Sequence, residues 1–382
     1  MKRLSLFLIV VVLIAFMIGC NSDGSEELIP DPNLRAAVRE AIGKYTGYIY
    51  PSDLAELTEL YAGYSDISDI TGMEHCTSLE YLELHLNQIS DISPLANLTS
   101  LTRLYLHNNQ ISDISPLANL TSLISLYLAI NQISDISSLT NLTSLSGLHL
   151  HSNQIDDISP LANLTSLRYL RFDDNQISDL SPLANLTNLM SLILDNNQIS
   201  DLSPLTSLTG LTDLVLDNNQ ISDISPVAKL TSLEFLIIHN NQISDISPAA
   251  NLTNLGHLNF NYNQIGDISP VANLTSLVYL KLDSNQISDI SPVANLTRLA
   301  GLTLNDNQIS DISPTANLTR LRSIYLDSNQ ISDIVPLVYN EELGEGDKVC
   351  LNDNPLRDDS INIYIPQLKS RGVTVHYEGS CY

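Results

Sequence analysis

A 22-residue period runs through most of this 382-residue chain. One asparagine marks it through twelve uninterrupted copies: Asn87, Asn109, Asn131, Asn153, Asn175, Asn197, Asn219, Asn241, Asn263, Asn285, Asn307 and Asn329. A degenerate copy precedes them with Ser65 in the asparagine position, and another follows a three-residue slip and ends on Asn354. Because a unit this short cannot bury an apolar face alone, neighbouring units must stack and share one core. The period therefore predicts a solenoid of about fourteen coils.

Each coil begins with a short strand pattern. In one copy, Leu104 and Leu106 lie on the same side of the strand because side chains alternate with period two, so Tyr105 and His107 must face outward. Asn109 follows at the bend, where an amide can satisfy backbone groups that a turn leaves unpaired. Replacing such an asparagine with leucine should cost about 1–3 kcal/mol.

The rest of the coil returns the chain to the next strand. Its apolar residues are expected to point inward: Ile111, Ile114, Leu117 and Leu120. Ser115 followed by Pro116 predicts the N-cap and first position of a short helical turn. One aspartate per coil, Asp113 in this copy, is expected to stay solvated at the turn and to accept hydrogen bonds from nearby backbone N–H groups.

The pattern L-x-x-L-x-L-x-x-N at this period is the leucine-rich-repeat signature. The 22-residue form, with its I-S-D-I-S-P-L-A-N-L-T continuation, resembles bacterial internalin-type repeats over roughly residues 54 to 340. The resemblance implies an α/β repeat solenoid shaped as an arc, with parallel strands on the concave face and short helical turns on the convex face. It also implies a role in adhesion or recognition.

Both ends of the array depart from the repeat, and a solenoid needs caps there to cover its open core. Asp31 and Pro32 predict the start of a helix that ends at Gly43. Its apolar face is expected to consist of Leu34, Val38, Ala41 and Ile42. Ser52 is expected to open a second short turn. At the other end, residues 360–370 predict a helix interrupted at Pro366, and residues 373–377 predict a closing strand.

The N-terminus resembles a bacterial lipoprotein leader. A basic start, Met1 to Arg3, precedes an apolar run that is short for a membrane span, and Met17-Ile18-Gly19-Cys20 resembles the lipoprotein box, with methionine where leucine is usual. The resemblance implies lipidation of Cys20 and an extracytoplasmic protein anchored to the cell envelope or cell surface. An uncleaved anchor and ordinary secretion are the alternatives.

These patterns divide the chain into five predicted segments. They are a signal peptide (1–19), a tether (20–28), a helical N-terminal cap (29–56), the leucine-rich repeats (57–340) and a C-terminal capping region (341–382).

The remaining cysteines have different expected environments. Cys76 occupies the register of Leu98 and Leu120, which predicts a buried core thiol. Cys350 lies on the outward side of its strand, and Cys381 follows the closing strand closely enough to fold back. Because disulfides persist outside the cytoplasm, pairing of these two cysteines is a hypothesis.

The net charge of −26 argues against nucleic acid or anionic lipid as partners of the repeat domain. Membrane contact is thus expected through the N-terminal lipid only. The sequence contains no nucleophile next to a base in a pocket, no phosphate-binding glycine loop and no zinc spacing, so we predict neither catalysis nor a cofactor. Asp173, Asp195 and Asp217 form a row that could attract a cation, but an exposed row has no enclosing cage, and no metal site is predicted.

Outward strand positions vary while the rest of the repeat hardly does, so recognition residues are expected there. The first candidate patch is aromatic and histidine-rich: Tyr81, His85, Tyr105, His107, Tyr127, His149, His151, Tyr169 and Arg171. The second is apolar: Ile193, Val215, Phe235 and Ile237. Tyrosine and arginine are enriched in recognition hot spots, and exposed apolar neighbours suggest an interaction site. The alternative is that β-branched residues simply favour exposed strand positions.

The sequence thus predicts a monomeric, non-catalytic surface protein that binds a protein or a glycan through its concave face. The alternative is a structural or self-associating envelope lipoprotein.

Overall fold

The computed structural model describes residues 27–379 and 381. Cys20, the predicted leader and most of the predicted tether lie outside the described residues. Within the described part, no helix is long and apolar enough to cross a membrane.

One parallel sheet forms the spine of the molecule. Its strands follow one another in chain order, and each pairs in register with its neighbours. The described residues contain fifteen strands, numbered β1 to β15: Glu59–Tyr61, Tyr81–Glu83, Arg103–Tyr105, Ser125–Tyr127, Gly147–His149, Tyr169–Arg171, Ser191–Ile193, Asp213–Val215, Phe235–Ile237, His257–Asn259, Tyr279–Lys281, Gly301–Thr303, Ser323–Tyr325, Lys348–Cys350 and Thr374–His376. The predicted leucine-rich-repeat solenoid is confirmed.

Short 3₁₀ helices return the chain on the opposite side. Their bounds are Met73–His75, Ser93–Leu95, Ser115–Asn119, Ser137–Asn141, Ser159–Leu161, Ser181–Leu183, Ser203–Ser207, Ser225–Lys229, Ser247–Asn251, Ser269–Asn273, Ser291–Asn295 and Ser313–Asn317. The predicted serine N-cap is wrong by one residue: Ile114 holds the cap position, and Ser115 is already the first residue of the turn. The reason is that the Asp113 carboxylate accepts the Ser115 N–H at 2.8 Å, which lowers the pKa of Asp113.

The asparagine column joins each coil to the one before it. Asn197 Oδ1 accepts the N–H of Ile177 at 2.9 Å, while Nδ2 donates to the carbonyls of Phe172 at 3.0 Å and Leu194 at 3.1 Å. The residue before it, Asn196, adopts φ of 55°, and the same left-handed conformation recurs through the array. The predicted role of the asparagine is confirmed.

Inward leucines and isoleucines stack from coil to coil into one continuous core that runs from Ile29 to Val375. Cys76 belongs to this core as predicted, and its burial raises the pKa of the thiol to about 12.

The N-terminal cap contains helices α1, Pro32–Ala41, and α2, Pro51–Leu54. Asp31 accepts N–H groups of α1 through Oδ1 and the Ser68 N–H through Oδ2 at 3.0 Å, so it ties the cap to the first coil. Leu34 and Val38 are buried and Ile42 packs against the core, but Ala41, the last residue of α1, is exposed.

Helix α2 begins at Pro51 rather than at Ser52. The Asp53 carboxylate accepts the Tyr50 N–H at 2.7 Å, which fixes this earlier start.

At the C-terminal end, α3 spans Val335–Tyr339 and α4 spans Ile365–Ser370. A π turn over Ser360–Tyr364 precedes α4. The predicted interruption lies one residue before Pro366: the π turn ends at Tyr364 and α4 begins at Ile365, which places the proline in the first turn of α4, where its missing N–H is not needed. The predicted closing strand is β15.

Candidate functional site

Three outward rows cross the sheet. Row 1 contains the first residue of each strand, row 2 the third residue, and row 3 the residue two positions after the strand. Their side chains do not enter the core, because strand side chains alternate and the leucines between them point inward. Chemistry on this face is therefore set by residues outside the leucine core.

Five rings form a continuous row of contacting rings at the N-terminal end, which we call the aromatic ladder: Tyr61, Tyr81, Tyr105, Tyr127 and His149. Successive ring centroids lie 5.0, 5.4, 4.6 and 4.2 Å apart. Burial raises the pKa of Tyr81 to about 12, so its hydroxyl stays protonated and can donate a hydrogen bond. The first predicted patch did not include Tyr61, which is 60% exposed.

Histidines occupy row 3 beside the ladder. The His85 and His107 rings stack with centroids 4.6 Å apart and planes 7° from parallel. Burial lowers the pKa of His149 to about 4, and burial also lowers the pKa values of His107 and His151. These three imidazoles are therefore neutral at pH 7 and present aromatic surface rather than positive charge.

Tyr169 and Arg171 extend this surface on β6. Tyr169 is 47% exposed. Arg171 binds the buried Asp173 through Nε at 2.6 Å and through a terminal nitrogen at 3.1 Å. The hydrogen bonds to Asp173 raise the pKa of Arg171 and fix its guanidinium on the face.

The second predicted patch is present but only half-exposed. Ile193, Val215 and Ile237 are neighbours in row 2, and Phe235 lies in row 1 of the same region. Phe235 begins another stack that sequence reasoning missed: its ring lies 4.4 Å from His257, which lies 4.9 Å from Tyr279. The sequence could have indicated this stack, since His257 and Tyr279 are aromatic and each immediately precedes a strand leucine.

Aspartates lie beside this patch in row 3. Burial and the nearby Asp173 raise the pKa of Asp195 to about 6. Asp217 is buried, binds His239 Nδ1 at 2.7 Å through Oδ2, and accepts the His239 N–H at 2.7 Å.

Beyond them, row 3 becomes a chain of amide and carboxylate side chains that we call the Asx ladder: Asn261, Asp283, Asn305, Asp327 and Asn352. Each of the first four accepts the backbone N–H of the next through Oδ1, at 2.7–2.8 Å. Sequence reasoning treated row 3 as free of structural constraint, which is wrong in this half.

Comparisons with known proteins agree with this geometry. The family model for leucine-rich repeats in two copies matches residues 77–119, 99–141, 121–163, 143–185, 165–207, 187–229, 231–273, 253–295 and 297–339. An internalin (InlF) from Listeria monocytogenes is 45% identical, with 82% of this chain and 94% of that chain covered and a TM-score of 0.81. The chain belongs to the leucine-rich-repeat family and is internalin-like.

Two other solved structures resemble this internalin-like chain. Internalin C2 from Listeria monocytogenes is 42% identical, covers 55% of this chain and 93% of its own, and gives a TM-score of 0.52. A plant peptide hormone receptor, RGFR1 in complex with RGF2, shares the fold at 24% identity and a TM-score of 0.70, with 81% of this chain and 57% of that chain covered. A comparison with curated protein sequences gave no match.

The internalin-like array ends in a cysteine pair. Cys350 occupies an outward row 2 position, as expected, but it is buried because Cys381 folds over it. The two Cα atoms are 6.1 Å apart, and the structure joins the sulfurs in a disulfide. Among the described residues, these cysteines and Asp327 are the one cluster of three groups with metal-ligand spacing. Sulfurs joined in a disulfide are not the thiolates that a metal needs.

Proposed function

We propose that this internalin-like chain is a non-catalytic, extracytoplasmic binding protein whose sheet face recognises a macromolecular partner, a protein or a glycan. The aromatic ladder is the observation that carries the proposal. Each ring is held against the next outside the core, so the rings form a preordered surface that loses little side-chain entropy on binding.

The chemistry of the face supports a protein partner in particular. Tyrosine combines a large apolar body with a hydroxyl, which is why it is frequent in binding hot spots. The neutral imidazoles next to the ladder extend this surface without a charge that a partner would have to desolvate. The solved plant receptor of this fold binds a peptide hormone, which is consistent with use of such a solenoid for protein ligands.

The test is a binding screen of the chain against arrays of extracellular proteins and glycans. A variant with Tyr105→Ala and Tyr127→Ala removes the centre of the ladder, and a matched variant with Tyr45→Ala and Tyr339→Ala removes two exposed tyrosines that lie outside it. Binding should be lost in the first variant and kept in the second. A partner held equally by both variants contradicts the proposal, and concentration-dependent sedimentation without any partner would favour the structural alternative.

We further propose that Cys20 is lipidated and anchors the chain to the cell envelope. The support is the lipoprotein-box pattern at residues 17–20. Radiolabelled palmitate should enter the protein expressed in a bacterial host and should not enter the Cys20→Ser variant. Equal labelling of the two proteins would exclude lipidation at this cysteine.

A further inference from the structure

Two of the fifteen row 1 positions are glycines, and their surroundings differ. A Cβ atom at Gly301 would lie 2.7 Å from Tyr279 Cδ1, so packing of that ring requires glycine there. At Gly147, the nearest atom to a Cβ would be Ser125 Oγ at 4.0 Å, so nothing in the fold requires glycine. A glycine inside a strand weakens it and often marks a place where a ligand approaches the backbone closely.

Gly147 lies in an open hollow of about 480 Å³ on the sheet face. This volume is within the range of about 300–1,000 Å³ typical of small-ligand sites. Most of the lining residues belong to rows 1 and 2 of β4 to β7, among them Ser125, Tyr127, His149, Tyr169, Arg171 and Ser191. Ser146, just before β5, also lines the hollow. The hollow therefore begins at the last two rings of the aromatic ladder and extends to β7.

The charge of the hollow is unusual for this chain. None of its lining residues is a carboxylate, although the chain carries a net charge of −26. A hollow of about 460 Å³ near the C-terminal end is instead lined by five acidic residues: Asp283, Asp306, Asp327, Asp353 and Glu378. In the Gly147 hollow, His149 is neutral because burial lowers its pKa, so the Arg171 guanidinium is the charged group.

The polar groups of the hollow are available to a ligand. Asp173 binds Nε and one terminal nitrogen of Arg171, and the other terminal nitrogen has no hydrogen-bond partner among the described residues. The half-buried hydroxyls of Ser125, Ser146 and Ser191 also line the hollow. Tyr127, His149 and Tyr169 supply ring surface beside these donors and acceptors.

We propose that the Gly147 hollow is a saccharide subsite that holds one pyranose ring of a glycan, an inference that rests on the proposed recognition role of the sheet face. A pyranose ring has an apolar C–H face, which packs on aromatic rings, and a rim of hydroxyls that donate and accept hydrogen bonds. The backbone at Gly147 allows such a ring to approach the sheet closely, because it carries no side chain and, unlike Gly301, has no neighbouring ring over it.

An aromatic side chain of a protein partner fits the hollow less well. It would cover the serine hydroxyls and the free guanidinium nitrogen without offering them hydrogen bonds, and unpaired buried polar groups are costly. A sugar rim satisfies the same groups. The hollow thus favours a glycan, whereas the rest of the aromatic ladder favours a protein.

Isothermal titration calorimetry of the full chain tests this subsite with linear hexasaccharides of glucose, mannose, N-acetylglucosamine and galacturonate as probes. Gly147→Leu fills the hollow, and Asp213→Leu places the same side chain in row 1 of β8, outside it. At least one probe should bind, Gly147→Leu should weaken its affinity about tenfold or more, and Asp213→Leu should change it by less than about twofold.

Gly147→Ala is a control for the case in which the Gly147→Leu variant misfolds. Its Cβ meets no close atom, so the strand should be as stable as in the wild type or slightly more stable while the affinity falls. The saccharide inference is overturned when no hexasaccharide binds the wild type, or when both Gly147 variants bind it unchanged.

The outcome separates this inference from the proposed function. A partner from the array screen that needs Tyr105 and Tyr127, withstands periodate oxidation of its sugars and ignores Gly147→Leu would overturn the saccharide subsite and leave recognition by the sheet face intact. A partner that ignores the ladder variant as well would overturn both.

Discussion

The two halves of the sheet use row 3 differently. In the N-terminal half this row carries His85, His107 and His151, and the first two stack on each other. In the C-terminal half it carries the Asx ladder, whose oxygens accept backbone N–H groups from the next coil. The same strand position is thus available for recognition in one half and holds adjacent coils together in the other. Variation between copies does not by itself mark a functional residue.

Burial shifts the pKa values of titratable groups in both halves. Burial lowers the pKa values of His107, His149 and His151 and keeps these side chains neutral. Toward the middle and the C-terminal half, burial raises the pKa values of Asp195 and Asp283. Burial also lowers the pKa of His257 in the C-terminal half, so one physical cause, desolvation of the charged form, lowers the pKa of bases and raises the pKa of acids along the whole face.

The largest difference is expected at the two ends of the array. Asp31 ties the N-terminal cap by hydrogen bonds, whereas the Cys350–Cys381 disulfide closes the C-terminal cap over a separation of 31 residues. Replacing both cysteines with serine should lower the free energy of unfolding of the C-terminal coils by about 3–4 kcal/mol. Hydrogen exchange measured by mass spectrometry should show faster exchange in β13 to β15 and no change in β1 to β3. Equal intact masses after alkylation with and without reductant would show that the cysteines do not pair.

A matched pair of substitutions tests the contrast in row 3 directly. Asn305→Leu leaves the Asp327 N–H without its partner at 2.8 Å and should cost about 1–3 kcal/mol. His107→Leu removes only a ring stack and should cost less than about 1 kcal/mol. Urea unfolding of the two variants measures both values. Equal costs would mean that the Asx ladder is no more structural than the histidine row.

The left-handed position before each repeat asparagine offers a smaller test. Ile130 has φ of 55° in the N-terminal half, where a β-branched side chain is strained, while Asn218 tolerates φ of 53° near the middle. Ile130→Asn should raise the free energy of unfolding by about 1 kcal/mol, and Asn218→Ile should lower it by a similar amount. Thermal melting of both variants gives the sign, and a destabilised Ile130→Asn protein would refute the argument.

The smallest net effect concerns pH, because the contributions of two sites have opposite signs and largely cancel. The folded-state pKa of His149, about 4, lies below the ordinary value of 6.5, so the unfolded chain binds more protons in that window and stability falls as pH drops through it. The pKa of Asp195, about 6, lies above its ordinary value of 3.8, so stability rises as pH drops between these values.

Single variants separate these two contributions. His149→Gln should reduce the stability lost between about pH 7 and pH 5, and Asp195→Asn should raise stability near pH 7 and remove the gain on acidification. Urea midpoints at both pH values measure the effects. A pH dependence unchanged by either substitution would show that neither group is desolvated in solution.

Much of the fold could be predicted because the same pattern of leucines, asparagine and turn residues occurs in every copy of the repeat. The leucine positions, the asparagine bonds and the caps follow from spacing and side-chain chemistry. The errors concern single positions. The turn begins at Ser115 because its N–H binds the Asp113 carboxylate, and Ala41, the last residue of α1, is exposed rather than buried. Such contacts depend on where neighbouring segments lie, which spacing does not specify.

The candidate site was only partly predictable for a related reason. Outward tyrosines and histidines were evident from the sequence, but their stacking, the neutrality of the imidazoles and the hydrogen bonds of the Asx ladder depend on distances between coils. The open space at Gly147 could not be predicted, because it depends on which side chains surround the glycine in the folded sheet.

The asparagine bonds connect residues at fixed separations of 20 and 25 positions. Duplication or deletion of 22 residues restores these separations, so recombination between the near-identical copies can lengthen or shorten the chain without disturbing its fold. Each such event would change the distance between the two caps by about 4.8 Å, one strand spacing. The length of the solenoid can therefore change in steps of one coil, while every remaining coil keeps its asparagine hydrogen bonds.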